Sequence, residues 1–348
     1  MAITFYHMAD IHLDQPFSTL AQTAGFPSKR RQEILEEFIR VLELARAEQP
    51  DFVFISGDMY DHEYTKISTI KRINDCFAKI KSRIILICGN HDPESKNSFY
   101  SNFLWAPNVT ILGRNQPFIV FEDKLVCIYG IGYDTGGGQY KTLETIRTNK
   151  KYTNILMLHG DVDLNISTYN AVGSKMLQDI GFDYVATGHN HRMYIKDNIY
   201  NPGSLCALGF DEPGSHGYFT GDLQTKQVDF IESKSRKYVD ISMDFGQLEN
   251  FEAKYPDKRD IYKIKVTGRK TAQEGMRTFD EYDYVQILDK RDVSKKPQTD
   301  SSSQGIKSRF ESIMTKKMES ASDKEKVILE EALELGLKAL SNEGLDLQ

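Results

Sequence analysis

The chain has 348 residues, 40% apolar and 27% charged, the balance of an ordinary globular protein. No stretch approaches the roughly 18–20 apolar residues of a membrane span. Its net charge of −6 is the opposite of a general nucleic-acid binder's basic footprint, and four cysteines without a CxxC pair exclude a zinc ribbon or disulfide framework.

Met1-Ala2-Ile3-Thr4-Phe5-Tyr6 lacks the basic start and apolar core of a signal peptide, so a cytoplasmic location is expected. Ala2–His7 reads as a first strand, followed by the loop Ala9-Asp10-Ile11-His12. Ile34, Leu35, Phe38, Ile39 and Leu42 recur at helical spacing over Ser28–Gln49, with Ser28 as the N-cap. Asp51–Ile55 is a second strand and delivers Ser56-Gly57-Asp58-Met59-Tyr60-Asp61. A helix over Thr65–Ile80 leads to the continuously apolar Ile84–Ile87, a buried parallel strand ending in Cys88-Gly89-Asn90-His91-Asp92.

Thr110–Leu112, Phe118–Phe121 and Leu125–Tyr129 are further strands. Thr153–Leu158 is another, ending in His159-Gly160. A helix around Ser167–Asp179 precedes the strand Asp183–Thr187, which ends in Gly188-His189-Asn190-His191. Arg192–Lys196 and Ile199–Asn201 form a hairpin, and Tyr218–Gly221 with Gln227–Ile231 finish the sheet. Cys76, Cys88, Cys127 and Cys206 are expected as buried thiols.

Alternating buried strands and amphipathic helices give an α/β layered domain over residues 1–235. A small βαβαβ unit follows over 236–292: strands Val239–Met243, Ile261–Val266 and Tyr284–Ile287, helices near Leu248–Lys254 and Ala272–Thr278. Residues 293–306 read as a linker, polar over Lys295–Gln304. Over 307–348, two helices at Ile306–Glu319 and Asp323–Leu340 close the chain, the second opened by a Ser322/Glu325 capping box. The apolar arc of that last helix is wider than one core-facing stripe needs. It suits packing on its own domain or docking a partner helix.

Five strand-end loops present Asp10, His12, Asp58, Asn90, His159, His189 and His191, a set of oxygen and nitrogen donors without thiolates. That mix suits Mn²⁺, Fe or Zn in a reactive centre rather than a structural zinc site. Asp10-x-His12 and His189-x-His191 space two donors so that both reach one side of a sheet edge. Each pair alone is commonplace; all of them at strand ends, where α/β sheets gather their chemistry, are not.

Asp10-x-His12, Gly57-Asp58-x-x-Asp61, Gly89-Asn90-His91-Asp92, His159-Gly160 and Gly188-His189-x-His191 resemble the motifs of the calcineurin-like metallophosphoesterases. Three further features resemble the superfamily's DNA double-strand-break repair exonucleases, the nuclease subunits of SbcCD-type complexes, and among them the YhaO-like subgroup. They are His7-x-x-Asp10-x-His12-Leu13, Tyr200-Asn201-Pro202-Gly203-Ser204 and the small following unit. The likeness covers most of the first 235 residues by motif and the remainder by layout. It implies a sandwich of two mixed sheets flanked by helices, with a small α+β cap domain and C-terminal helices.

The same resemblance implies two divalent ions, taken as Mn²⁺. Asp10, His12 and His191 would hold one, Asn90, His159 and His189 the other, and Asp58 both. His91 would act at the leaving oxygen, oriented by Asp92, with Asp61 as a supporting group. Asp14 stands where the family has glycine, and Pro93 directly follows Asp92.

Such a pair of ions, about 3.5–4 Å apart, lowers the pKa of a shared water and clamps a phosphoryl group for in-line attack. His62 and Asp92 replace the Arg and Glu of the family's phosphoprotein phosphatases, which favours a diester over a monoester. The expected function is a Mn²⁺-dependent DNA exonuclease or endonuclease in repair, homodimeric and working with an SMC-like coiled-coil ATPase that takes the C-terminal helices. A small-nucleotide phosphodiesterase and a DNA-end-binding scaffold are the alternatives. Substrate contacts are expected from Arg192 and Tyr60, with Lys29, Arg30, Arg31, Lys66, Lys71 and Arg72 as further cations and Tyr64 and Trp105 as further aromatics. Solvated charge and core packing are the plainer readings of these side chains.

Overall fold

The computed structural model describes residues 2–133, 140–164, 167, 169–270, 275–293 and 306–340. In chain order, β1 (Thr4–Met8) leads through a loop to α1 (Phe26–Glu48), then β2 (Phe52–Ser56), α2 (Ile67–Phe77) and β3 (Arg83–Ile87). A single turn, α3 (Phe99–Asn102), precedes β4 (Val109–Leu112), β5 (Phe118–Phe121) and β6 (Val126–Ile131). Then come α4 (Tyr140–Thr145), β7 (Thr153–His159), α5 (Ser174–Ile180), β8 (Tyr184–Gly188), β9 (Tyr194–Lys196), β10 (Ile199–Asn201), β11 (Gly217–Asp222) and β12 (Gln227–Glu232).

Among the described residues these strands form two six-stranded mixed sheets, ordered β12-β11-β1-β2-β3-β4 and β5-β6-β7-β8-β10-β9. The strands named from the apolar runs are the parallel centres of both sheets: β1 to β4 in one, β6, β7, β8 and β10 in the other. Phe5, Phe52, Phe54, Ile85 and Ile87 face Ile128, Ile155, Met157 and Ala186 across the space between them. The outer face of the first sheet is sealed by α1 and α2 through Ile34, Phe38, Val41, Ile70 and Phe77. Leu177 of α5 does the same for the second. Such doubly covered parallel strands read as unbroken apolar runs because neither face meets water.

Local details differ from the sequence reading where turns and caps decide. Helix α1 starts at Phe26 behind a left-handed Gly25, with Pro27 in its first turn; Ser28 lies inside it and accepts from Arg31. Proline at the start of a helix gives up only an N–H that has no partner there. Helix α5 begins at Ser174, after Gly173, rather than near residue 167. Asp14 has φ 63°. Its carboxylate accepts from Lys66 N–H at 3.0 Å and Thr69 Oγ at 2.7 Å, so it caps α2, which glycine could not do.

Beyond the sandwich, β13 (Tyr238–Asp244), α6 (Phe251–Lys254), β14 (Ile261–Thr267) and β16 (Tyr284–Asp289) make a three-stranded parallel sheet over a core of Leu248, Phe251, Ile264, Val266 and Phe279. The expected helix at Ala272–Thr278 falls partly outside the described residues, and the described part, 275–278, is not helical. All of this lies in one compact unit spanning Met1–Gly268 and Gly275–Arg291. A second unit contains β15 (Arg269–Lys270), β17 (Asp292–Val293), α7 (Ile306–Glu319) and α8 (Asp323–Leu340). In it, Glu325 accepts from both the N–H and the hydroxyl of Ser322, one arm of the expected capping box. The expected linker, its two end residues apart, lies outside the described residues. Among those described, no helix is long and apolar enough to cross a membrane, and the four cysteines are free and buried.

Candidate metal centre

The carboxyl ends of β1, β2, β3, β7 and β8 meet at one edge of the sandwich, and their loops bring seven side chains together. Asp10, His12, Asp58 and His189 all adopt positive φ, at 50°, 51°, 48° and 91°. Four non-glycine residues in that region at one site are strain that the surrounding fold holds in place. Two glycines make the room: a Cβ on Gly57, at φ +86°, would lie 2.3 Å from His159 Nδ1, and one on Gly89 would lie 2.1 Å from Asp58 Oδ1.

Hydrogen bonds fix the histidine tautomers. His12 Nδ1 stands 2.8 Å from Asp61 Oδ1, and His191 Nδ1 stands 2.6 Å from Glu212 Oε1. Both carboxyls sit below their ordinary range, because the facing histidines outweigh burial. Carboxylates only accept, so each ring, when neutral, carries its proton on Nδ1 and turns an Nε2 lone pair inward. Those two Nε2 atoms are 3.2 Å apart. Donor atoms of Asp10, His12, Asp58 and His191 all lie within 4.8 Å of one another.

The neighbouring set is built alike. His159 Nδ1 donates to the Ser56 carbonyl at 2.8 Å, so its Nε2 faces Asn90 Oδ1 at 3.0 Å and Asp58 Oδ2 at 3.3 Å. His189 Nδ1 lies 2.8 Å from the same Asn90 oxygen. Acceptors crowded against acceptors in a buried place require positive charge between them. The histidines respond accordingly. Burial lowers His159 and His191, yet Asp58 facing the first and Glu212 and Asp10 facing the second push both up to about 9. Asp58 is held far below the carboxylate range, His159 and His12 outweighing its burial. The donor set therefore fits two cations, with Asp58 reaching both groups of ligands.

His91 stands at the rim, half exposed, with Nδ1 3.4 Å from Asp61 Oδ1. Its hydrogen bond to Asp61 raises its pKa, favouring the protonated ring. Asp61 thus serves His12 and His91 together. Asp92 does not touch His91, contrary to expectation. Wholly buried, it accepts from the backbone N–H groups of Asp58, Met59, Tyr60 and Gly89 and from the Tyr100 hydroxyl. It ties the two ligand loops together, because four converging donors hold a carboxylate more firmly than one exposed ring.

Other expected contacts are also reassigned. Tyr60 is fully buried against Phe99 and Tyr100, and its ring cannot reach a substrate. Trp105 packs on Phe77, Tyr100 and Phe103. Arg30 is buried, bonded to Glu33, Ala207 O and Ser235, while Lys29 pairs with Asp283. Arg192 is exposed beside His191, donating to Asp211 O at 3.3 Å. The sequence reading missed Glu212, Asp161 at 3.6 Å from His189 Nε2, and Tyr169, whose ring centroid is 4.7 Å from that of His189. Asp161 stands two residues after His159, the same spacing that flagged the other donors; Glu212 lies 21 residues past His191 with no spacing to mark it.

A two-sheet sandwich with paired oxygen and nitrogen donor sets at its strand ends defines a metallophosphoesterase, a hydrolase of phosphoesters. Residues 3–193 match the calcineurin-like phosphoesterase family, and the chain belongs to it. It is 25% identical to the uncharacterized metallophosphoesterase YhaO of Bacillus subtilis, over 76% of this chain and 69% of that one. It is 28% identical to the DNA double-strand break repair protein Mre11 of Methanococcus maripaludis, over 63% of each. It is also 26% identical to one of the subunits of the nuclease SbcCD of Staphylococcus epidermidis, over 67% of this chain and 72% of that polypeptide. The family binds divalent metals, and the first set of ligands is a candidate site for one.

Proposed function

We propose that the chain is a two-metal phosphodiesterase, and specifically a Mn²⁺-dependent DNA exonuclease or endonuclease. The observation that carries this reading is the array of converging acceptors, with His91 at its rim, its Nδ1 3.4 Å from Asp61 Oδ1. Asp10, His12 and His191 would hold one ion, Asn90, His159 and His189 the other, and Asp58 would contribute to both. When bound, the ions supply the acidity that activates water and offset charge on the phosphoryl oxygens. His91 gives its proton to the departing oxygen, and its hydrogen bond to Asp61 favours the protonated ring. Arg192, exposed next to His191, is placed to meet a phosphate.

Resemblance to a repair protein and to part of a nuclease supports DNA as the substrate. We assign the partner as an SMC-like coiled-coil ATPase docking on residues 307–348, where Ile313, Val327, Ile328 and Leu335 are exposed, and the assembly as a homodimer. A small-nucleotide phosphodiesterase is the second reading. It is favoured by the exposed carboxylates of Glu63 and Asp211 beside His91, which repel a polyanion.

The test is Mn²⁺-dependent degradation of end-labelled duplex and single-stranded DNA, beside bis-p-nitrophenyl phosphate, by the purified chain and its Asp58→Ala and His91→Ala variants. DNA cleavage lost in both variants supports the nuclease. Turnover of the small diester with DNA untouched supports the second reading, and inertness toward all three substrates refutes both.

A further inference from the structure

The cleft that opens at His91 has walls that do not suit a run of phosphates. It encloses about 940 Å³ between Phe17, Glu63 and Tyr64 on one side and Phe210, Asp211 and the sheet residue Lys263 on another. Lys263 is already engaged: its Nζ lies 2.8 Å from Asp240 and 4.3 Å from the centre of the Phe210 ring. The exposed side chains of Glu63 and Asp211 have no partner among the described residues. Two further lining residues, Gln15 and His62, each bury a polar atom, Oε1 and Nδ1, that lacks a hydrogen-bond partner. Phe17 is buried, so the cleft combines the exposed ring of Tyr64 and the half-buried ring of Phe210 with free acceptors, unmet polar atoms and one neutralised cation.

We propose that this cleft receives the group bearing the departing oxygen, and that this group is a single nucleoside carrying no second phosphate. The inference rests on the phosphodiesterase part of the reading above and sides with its small-nucleotide form, since the group departing from an internal DNA phosphodiester carries further phosphates. His91 belongs both to the cleft wall and to the ligand loops, so the alcohol it protonates leaves into this space. A new P–O bond forms from water, which gives up one proton to the solvent; the P–O bond to the nucleoside breaks, and the His91 proton passes to the freed nucleoside oxygen. Aromatic walls stack on a base irrespective of its identity. Carboxylates accept from exocyclic base amines. The same carboxylates repel a phosphate placed among them, with Lys263 already neutralised by Asp240.

The experiment compares three dinucleotides with the Mn²⁺-loaded chain: thymidylyl-thymidine, the same with a 5′-terminal phosphate, and the same with a 3′-terminal phosphate. Whichever nucleoside departs, one phosphorylated form places its extra charge in the cleft. The expected result is a fall of about tenfold or more in kcat/KM for one of the two, the size that a like charge a few ångströms away imposes. A Glu63→Gln/Asp211→Asn double variant, altering only exposed side chains, recovers most of that loss. Equal kcat/KM for all three dinucleotides, or an unchanged gap in the variant, overturns the assignment while leaving phosphodiester hydrolysis intact. Failure to turn over any dinucleotide or bis-p-nitrophenyl phosphate overturns the phosphodiesterase reading and the cleft assignment with it.

Discussion

Glu212 Oε1 lies 2.6 Å from His191 Nδ1, whereas His159 Nδ1 meets the Ser56 carbonyl, at 2.8 Å. A carboxylate behind a ligating imidazole raises its basicity more than a neutral carbonyl does, and His12 has its own carboxylate in Asp61. The two ligand groups are therefore unequal, and the one containing Asp10, His12 and His191 should fill first. Glu212→Gln leaves one acceptor oxygen in place of two, so His191 Nδ1 or the Ser204 hydroxyl and Leu208 N–H, which the other oxygen holds, must face an amide NH2 instead. We expect the tighter of two Mn²⁺ binding steps to weaken by about 10–100-fold in calorimetry. Equal weakening of both steps, or of neither, would count against the asymmetry.

Asp61 raises the pKa of His91, so activity that needs the protonated ring is present at low pH and disappears as pH rises through that raised value. Replacing Asp61 by Asn removes the raising charge, and the basic limb of the pH–rate profile should move to lower pH. Because Asp61 also orients His12, metal affinity falls too, but saturating Mn²⁺ compensates only for that part. A profile of unchanged position at saturating metal would show that Asp61 does not govern the acid.

How much of this was legible from sequence depends on what each feature obeys. The buried parallel strands were visible because Phe52–Ile55, Ile84–Ile87 and Ile155–Leu158 are apolar throughout, and a strand covered on both faces demands that. The candidate ligands could be picked out because their spacing of two puts Asp10 with His12, and His189 with His191, on one side. Asp92 and Tyr60 were misplaced for a shared reason. Adjacency in sequence to His91 and Asp58 says nothing about which way a side chain turns after a positive-φ residue such as Asp58. Glu212 was invisible because its contact with His191 is made by a loop returning after β10, and only the fold brings it there.

Gly89→Ala offers a test of crowding at the centre. The added Cβ would stand 2.1 Å from Asp58 Oδ1 and 2.3 Å from Asp58 N, so Asp58 must move. Overpacking of this kind costs about 1–3 kcal/mol. The fold should survive that cost in circular dichroism, while Mn²⁺ binding and diester hydrolysis are lost together because Asp58 serves both groups of ligands. Retained metal binding would mean that the loop yields instead.

His7 sets an acid limit on the fold that is separate from the metal ligands. Its Nδ1 lies 3.0 Å from the Tyr184 hydroxyl, and its Nε2 is 3.1 Å from both Ser56 Oγ and Thr187 O. Complete burial lowers its pKa from 6.5 to about 3, the bond to Thr187 opposing only in part. Below pH 6.5 the unfolded chain takes up a proton that the folded chain refuses, so stability is whole above that pH and declines as pH falls toward 3. The slope approaches about 1.4 kcal/mol per pH unit, or roughly 2 kcal/mol by pH 5. A His7→Asn variant should be less stable at neutral pH, because it surrenders part of this network, yet its melting temperature should fall less steeply between pH 6.5 and 5 than that of the parent. His159 and His191, raised to about 9, titrate with the opposite sign and affect parent and variant alike in chelator-treated protein, so the difference between the two curves isolates His7. Parallel curves would mean that the buried ring finds another way to accept its proton, most directly by opening of the β1–β2 ladder around Ser56.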